Sequence, residues 1–159
     1  WSSDVCSSDL HHHARANLDD ILWRKRRWNG ADAYAESKLH DAMLAFALAR
    51  RWRDVRSNSL EPGWVPTKMG GPDAPDDMDQ AHLTQAWLAA SRDTEADVTG
   101  KYFYHMKRMT ANPQAHDVAL QDRLINICTE ISGIALPEKY VTLTKCALTI
   151  KNRVFTYQG

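Results

Sequence analysis

Two side chains in this sequence have the types and spacing that together can move a proton: Tyr34 and Lys38, in the string Tyr34-Ala35-Glu36-Ser37-Lys38. Four residues advance an α-helix by about 400°, so on a helix both side chains leave one face within about 40° of each other. A tyrosine phenol ordinarily titrates at about 10 and is a poor acid or base at neutral pH. An ammonium group one helical turn away favours the phenolate and brings a phenol towards useful proton transfer. Taken alone, the pair also describes a half-exposed aromatic beside a solvated lysine. The residues downstream add weight. A short strand-like segment leads into Glu61-Pro62-Gly63-Trp64-Val65-Pro66-Thr67, a turn in which a glycine lets backbone approach a ligand closely.

The elements that must position these residues are read from periodicity. Residues 32–52 form the clearest helix, with Leu39, Met43, Phe46 and Ala47 recurring at three- and four-residue steps. Arg50, Arg51 and Arg53 crowd its end, where positive charge suits the helix dipole. Residues 55–60 read as a buried strand and 64–78 as the longest loop. Asp76 or Asp77 then caps a helix to about Ser91, with Met78, Leu83, Ala86, Trp87 and Leu88 facing inward. Residues 98–104 read as a second strand, Asn112-Pro113 as a break, and 117–132 as a last helix stopped by Gly133. Segment 17–28 is a short helix or an irregular excursion, and Asn29-Gly30 is a turn signal. Strands alternating with helices predict an α/β fold with a parallel sheet.

Composition bounds the rest. The 159 residues suit one domain and carry 20 basic and 20 acidic side chains, a balance that argues against a dedicated nucleic-acid binder. The longest apolar run, 42–49, is too short to span a bilayer. No basic stretch followed by an apolar one opens the chain, and Cys6, Cys128 and Cys146 contain no CxxC, so a cytoplasmic protein with reduced thiols is expected. Cys128 reads as a core residue. The histidines at 11–13 cannot all face one ion in a regular element and read as an exposed loop. The acidic cluster Asp73, Asp76, Asp77 and Asp79 lacks calcium-loop spacing, so no metal site is expected. The basic-aromatic run at 23–28 reads as a solvated face or a substrate-side loop. Residues 1–10 are expected to stand outside the fold as an artefact or disordered arm, because 1–6 resemble a translated sequencing adapter. The domain proper is expected at 11–137. The tail at 138–159 is compatible with a hairpin, a disordered end or a foreign junction.

The helix string YAESKLHDAMLAFALARR, followed in order by the Pro-Gly turn, resembles the C-terminal half of the short-chain dehydrogenase/reductase family. The likeness is greatest to retinol-dehydrogenase-like and protochlorophyllide-reductase-like members, which share the YxxSKLxxxxxxxxLARR helix and the PGxVxT turn. The segments DQAHLTQAWLAAS, TGKYFYH and LQDRLINIC also fit, so the resemblance runs from about residue 8 to residue 137. It implies an incomplete doubly wound, Rossmann-like parallel sheet. It also implies that Tyr34 is the catalytic acid/base and that Lys38 tunes it and hydrogen-bonds the nicotinamide ribose. Pro62 and Gly63 would shape the cofactor turn, Val65 would offer backbone to the carboxamide, and Thr67 its hydroxyl to carboxamide or phosphates. In Ser7-Ser8-Asp9-Leu10-His11-His12, Ser8 matches the family's substrate-holding serine.

By the same resemblance the cofactor is NAD or NADP, with NADP favoured, and the substrate a small lipophilic alcohol or carbonyl compound. Substrate choice would fall to 64–78 and 100–112, and homodimers or tetramers would pack through the tyrosine-bearing helix. The chain departs from the family in one respect. None of its seven glycines makes the TGxxxGxG turn that holds a pyrophosphate, and no NNAG-like element is present. A proton-transfer half-site without a dinucleotide cradle is expected, inactive as this chain. The alternative is a non-catalytic fragment or a helix-mediated interaction module that binds no cofactor.

Overall fold

The structure is a computed structural model that describes residues 2–6 and 9–138. Its elements run in the order β1 (Ser2–Cys6), α1 (Gly30–Arg51), β2 (Arg56–Glu61), α2 (Leu83–Ala90), β3 (Tyr102–Tyr104), β4 (Lys107–Met109) and α3 (Val118–Ser132). Short 3-10 turns lie at Asp9–His13, Leu18–Asp20, Met78–Gln80 and Pro113–His116.

The length of α1 is set by its sequence. Asn29 is its N-cap rather than a free turn, its side chain accepting from the amides of Ala31 and Asp32. Beyond the cap lies an alanine- and leucine-rich stretch of high helix propensity. Leu39, Met43, Phe46 and Ala47 are buried, the stripe expected from their spacing, and Ala42 is buried beside them. Each large member of that stripe contributes about 1.5–3 kcal/mol on burial. At the far end Arg50 and Arg51 both pair with Asp122 of α3. Hydrogen bonds from Arg51 and Arg50 hold the Asp122 carboxyl below the usual aspartate range. The stop expected for α3 is present, Gly133 closing the helix at φ 72°, a left-handed conformation that favours glycine, while Asp117, read as the first helical residue, instead caps it, its side chain accepting from the amide of Leu120.

The four strands lie in the order β1-β2-β3-β4. β1 and β2 pair in parallel from Ser2 with Arg56 to Cys6 with Leu60, and β2 and β3 in parallel from Ser59 with Tyr102 to Glu61 with Tyr104. Successive strand residues face opposite sides. Tyr102 therefore joins the cluster of Leu39, Met43, Phe46, Ala115 and Leu124 under α1 and α3. Its neighbour Phe103 joins Leu60, Leu88 and Ala96 under α2. Both faces of the sheet are covered, as in a partial Rossmann-like α/β fold.

The structure of the sheet and helices departs from expectation in several places. The sheet is mixed, since β4 returns antiparallel to β3 through His105 and Met106, both at positive φ (45° and 61°). A two-residue hairpin of this kind normally advertises itself with Asn or Gly, and this one has neither. Ser2–Cys6, set aside with residues 1–10, form a strand through main-chain pairing, which any sequence can supply. In α2 the buried side chains are Thr84 and Leu88, with Trp87 partly buried, whereas Met78, Leu83 and Ala86 are exposed. The helix is only two turns long and offers a narrow inward stripe. Cys128 is exposed on α3, not in the core. The expectations for 139–159 fall outside the described residues.

Candidate active site

A helix joining two adjacent parallel strands runs back antiparallel to them. The start of α1 therefore lies at the edge of the sheet where β1 and β2 end and where Pro62 and Gly63 leave. Tyr34 and Lys38 sit in the first turns of α1, both half-buried. The Lys38 ammonium lies 5.6 Å from the centre of the Tyr34 ring, within cation–π range. Lys38 Nζ also donates to Asp41 Oδ2 at 3.0 Å. Ser37 Oγ donates to the Tyr34 carbonyl at 2.7 Å. Phenol, ammonium and carboxylate thus succeed one another down a single helix face.

The loop before α1 is tied to its opposite flank. The carboxylate of Asp20 accepts the amides of Arg24, Lys25 and Arg26 at 2.7, 3.0 and 3.2 Å. The Arg26 guanidinium then reaches Glu36 on α1 with two parallel hydrogen bonds of 2.6 and 2.5 Å. It stacks over the Trp23 ring at 3.5 Å. Trp23 packs edge-on against Trp28, whose indole nitrogen lies within 3.8 Å of where a Cβ on Gly30 would be. Gly30, Tyr34 and Lys38 are spaced four apart, so Trp28 stands beside the start of the helix face that carries Tyr34 and Lys38. The basic-aromatic run is therefore partly structural: Arg26 anchors it.

On α1 below this knot, burial pushes the His40 imidazole below the ordinary histidine value of 6.5, against the attraction of Glu36 and Asp41 and helped by Arg26. Burial also lowers His116, which stacks on Phe46. A histidine whose folded pKa is depressed binds its proton better when unfolded. The stability it contributes is complete above about 6.5 and is lost as pH falls towards the folded value. The melting temperature is therefore expected to fall between pH 7.5 and 5.5, and His40→Leu to flatten that fall. An unchanged slope in the variant would assign the effect elsewhere.

The residues 62–67 leave β2 through Gly63 at φ 88°. A Cβ on Gly63 would sit 2.7 Å from Asp76 Oδ2. Asp76 Oδ2 accepts the Trp64 amide at 2.5 Å, and Asp76 Oδ1 accepts the Tyr104 hydroxyl at 3.1 Å. The Asp76 amide donates back to the Trp64 carbonyl at 3.0 Å. Val65 is buried and Thr67 exposed. The Thr67 amide donates to the Val65 carbonyl at 2.7 Å, and the Thr67 hydroxyl accepts from the Gly70 amide at 3.0 Å.

Ser8 lies outside the described residues. Of the histidines expected in an exposed loop at 11–13, His12 and His13 are exposed, but His11 is fully buried with its ring 4.8 Å from that of Tyr102. Asn112 holds it: its side-chain amide is directed at the carbonyls of His11, His12 and Ala14 (2.8, 3.3 and 3.0 Å), and its main-chain amide at His11 Nε2 (3.4 Å). Asp76, Asn112 and the Arg26–Glu36 pair have no spacing signature in the sequence. Their partners stand between ten and about a hundred residues away.

The nicotinamide end of a dinucleotide calls for a proton-transfer group, a neighbouring cation and backbone at a tight turn. Tyr34, Lys38 and the turn through Gly63 have that chemistry, so the residues present fit this end of the group.

The sequence has known relatives. It is 38% identical over 136 residues to the short-chain dehydrogenase chry4 of Gibberella zeae, spanning 82% of this chain and 52% of that protein. It is 36% identical to the short-chain dehydrogenase chyC of Penicillium rubens, again over 82% of this chain and 52% of that protein. The curated homologues of this chain are thus short-chain dehydrogenases, and the match is consistent with the C-terminal part of one. Human retinol dehydrogenase 13 is 29% identical over 82% of this chain and 45% of its own length. The chain spans about half the length of the curated relatives it matches. No family model matches it. A crystal structure of an uncharacterized protein from Mycobacterium paratuberculosis superposes with a TM-score of 0.66 at 21% identity, over 86% of this chain and 52% of that one, which shows the shared fold. Among the described residues no helix is long and apolar enough to cross a membrane.

Proposed function

We propose that this chain carries the proton-transfer half-site of an NAD(P)-dependent oxidoreductase that interconverts an alcohol and a carbonyl compound. The observation that carries the reading is the pairing of Tyr34 with Lys38 on one face of α1, at the sheet edge where the turn through Gly63 leaves β2. A bound nicotinamide nucleotide would supply or accept the hydride. Tyr34 Oη gives its proton to the substrate's carbonyl oxygen in reduction and takes it from the hydroxyl in oxidation. Lys38 offsets the negative charge left on the phenol oxygen and offers donors to the ribose hydroxyls. Pro62, Gly63, Val65 and Thr67 would hold the carboxamide side, and Ser8 would be a further holder of the substrate oxygen. Exposed Trp64 and Met69 on the loop after the turn favour a lipophilic substrate.

A second reading draws on the apolar groove between α1 and α3. It is lined by Leu44, Leu48, Ile125, Cys128 and Ile134, and suits helix-mediated pairing without catalysis. Titrating the chain with NADPH and NADH, monitored by nucleotide fluorescence, separates the two. Saturable binding that Lys38→Ala weakens about tenfold or more, the worth of a charge-assisted hydrogen bond, is expected for the half-site. No binding up to millimolar nucleotide, or binding indifferent to Lys38, leaves the pairing reading.

A further inference from the structure

We infer that Asp76 is the positioning residue of the turn at 62–67, clamping it to the sheet before any ligand arrives. The inference rests on the reading of that turn as the nicotinamide-holding segment. Tyr104 ends β3 and pairs in register with Glu61, the last residue of β2, so it stands on the rigid part of the fold. From there its hydroxyl donates to Asp76 Oδ1, while the other oxygen of the same carboxylate takes the Trp64 amide. The return bond from the Asp76 amide to the Trp64 carbonyl closes residues 64–76 into a ring. Inside the ring the Trp64 indole nitrogen donates to the Gly70 carbonyl at 2.8 Å, and Gly71 donates to the Thr67 carbonyl at 2.9 Å.

The Asp76 carboxylate occupies the space where a Cβ on Gly63 would lie, 2.7 Å from Oδ2. Glycine at 63 is therefore required by the clamp itself, in addition to its positive φ. Of the four acidic residues clustered in this loop, Asp77 instead caps the turn at Met78–Gln80. A charged acceptor makes stronger hydrogen bonds than a neutral one, and a turn held before binding has less freedom to lose when a ligand docks. Asp76 touches no reacting atom; it acts through the backbone of Gly63 and Trp64.

Amide hydrogen exchange on the chain without nucleotide tests the clamp directly. Asp76→Ala is expected to speed exchange at Trp64, Thr67, Gly70 and Gly71 by about tenfold or more while α1 and β2 keep their rates. Asp76→Asn, which keeps the shape and one carbonyl oxygen, restores part of the protection, and Tyr104→Phe gives a smaller loss at the same amides. Unchanged turn amides would overturn the proposal, and so would a rise spread evenly through α1, which marks a residue of general stability only. In a parallel NADPH titration, Asp76→Ala is expected to weaken binding about tenfold with Lys38 intact. Faster turn exchange with unaltered NADPH affinity would refute the positioning role. If the unsubstituted chain binds no nucleotide, the cofactor reading falls, and the exchange pattern alone decides whether Asp76 holds the turn.

Discussion

In a form of the protein joined to a dinucleotide-binding half, Tyr34→Phe is expected to lower turnover of an alcohol or carbonyl substrate by about a thousandfold, within the usual range for removing a positioned acid/base, and to leave nucleotide affinity within about twofold. Phenylalanine keeps the ring, so it keeps the surface over which Lys38 lies at 5.6 Å and the packing of α1. It removes only Oη, the atom to which the proposal assigns the proton exchange. An interaction made in the transition state and not in the ground state shows as a loss in kcat with little change in binding. Steady-state NADPH oxidation with a small aryl ketone, alongside the fluorescence titration, reads both quantities. Turnover equal to that of the parent would take Tyr34 out of the chemistry. An equal loss in nucleotide affinity would make it a binding residue instead.

The largest expected effect on stability lies on the other flank of the same helix. Glu36→Ala leaves the Arg26 guanidinium, only one-quarter exposed, without its two strongest acceptor bonds. Breaking one side of a buried ion pair commonly costs about 3–5 kcal/mol, and the partial access of water to Arg26 moves the expectation to about 2–3 kcal/mol. The double variant Arg26→Met with Glu36→Met is expected to recover part of that loss, because the Arg26 charge is gone and the Asp20 carboxylate, 3.6 Å from it in the parent, keeps its three amide donors. Urea unfolding of the two single variants and the double one closes the cycle. A single variant no worse than the double would show that the pair is merely a surface contact.

How legible the fold and site are in the sequence depends on the distance over which each feature is encoded. The stripe of Leu39, Met43, Phe46 and Ala47, the Gly133 cap and the shared face of Tyr34 and Lys38 are all set within one or two helical turns, and each is visible in the string. β4 is not legible, because His105 and Met106 adopt left-handed conformations that neither residue type announces. Cys128 is misplaced by its spacing because an apolar helix face can point into an open groove as readily as into a core. Gly63 can be read as a turn glycine, but the carboxylate that fills the space beside it comes from residue 76 and is evident only in the fold. The parallel neighbours of β2 are equally remote: Cys6 meets Leu60, and Phe103 meets Leu60 from the other side.

The grip of Asn112 on the carbonyls of His11, His12 and Ala14 bears on the order in which the molecule is made. On a ribosome the segment after β1 emerges about a hundred residues before the side chain that secures it. That stretch must wait, exposed, while α1, β2 and the β3–β4 hairpin are synthesised, since contacts of such sequence separation close late. The polar, histidine-rich character of 9–13 suits such a wait, because an apolar stretch left open for that interval would invite association with other nascent chains.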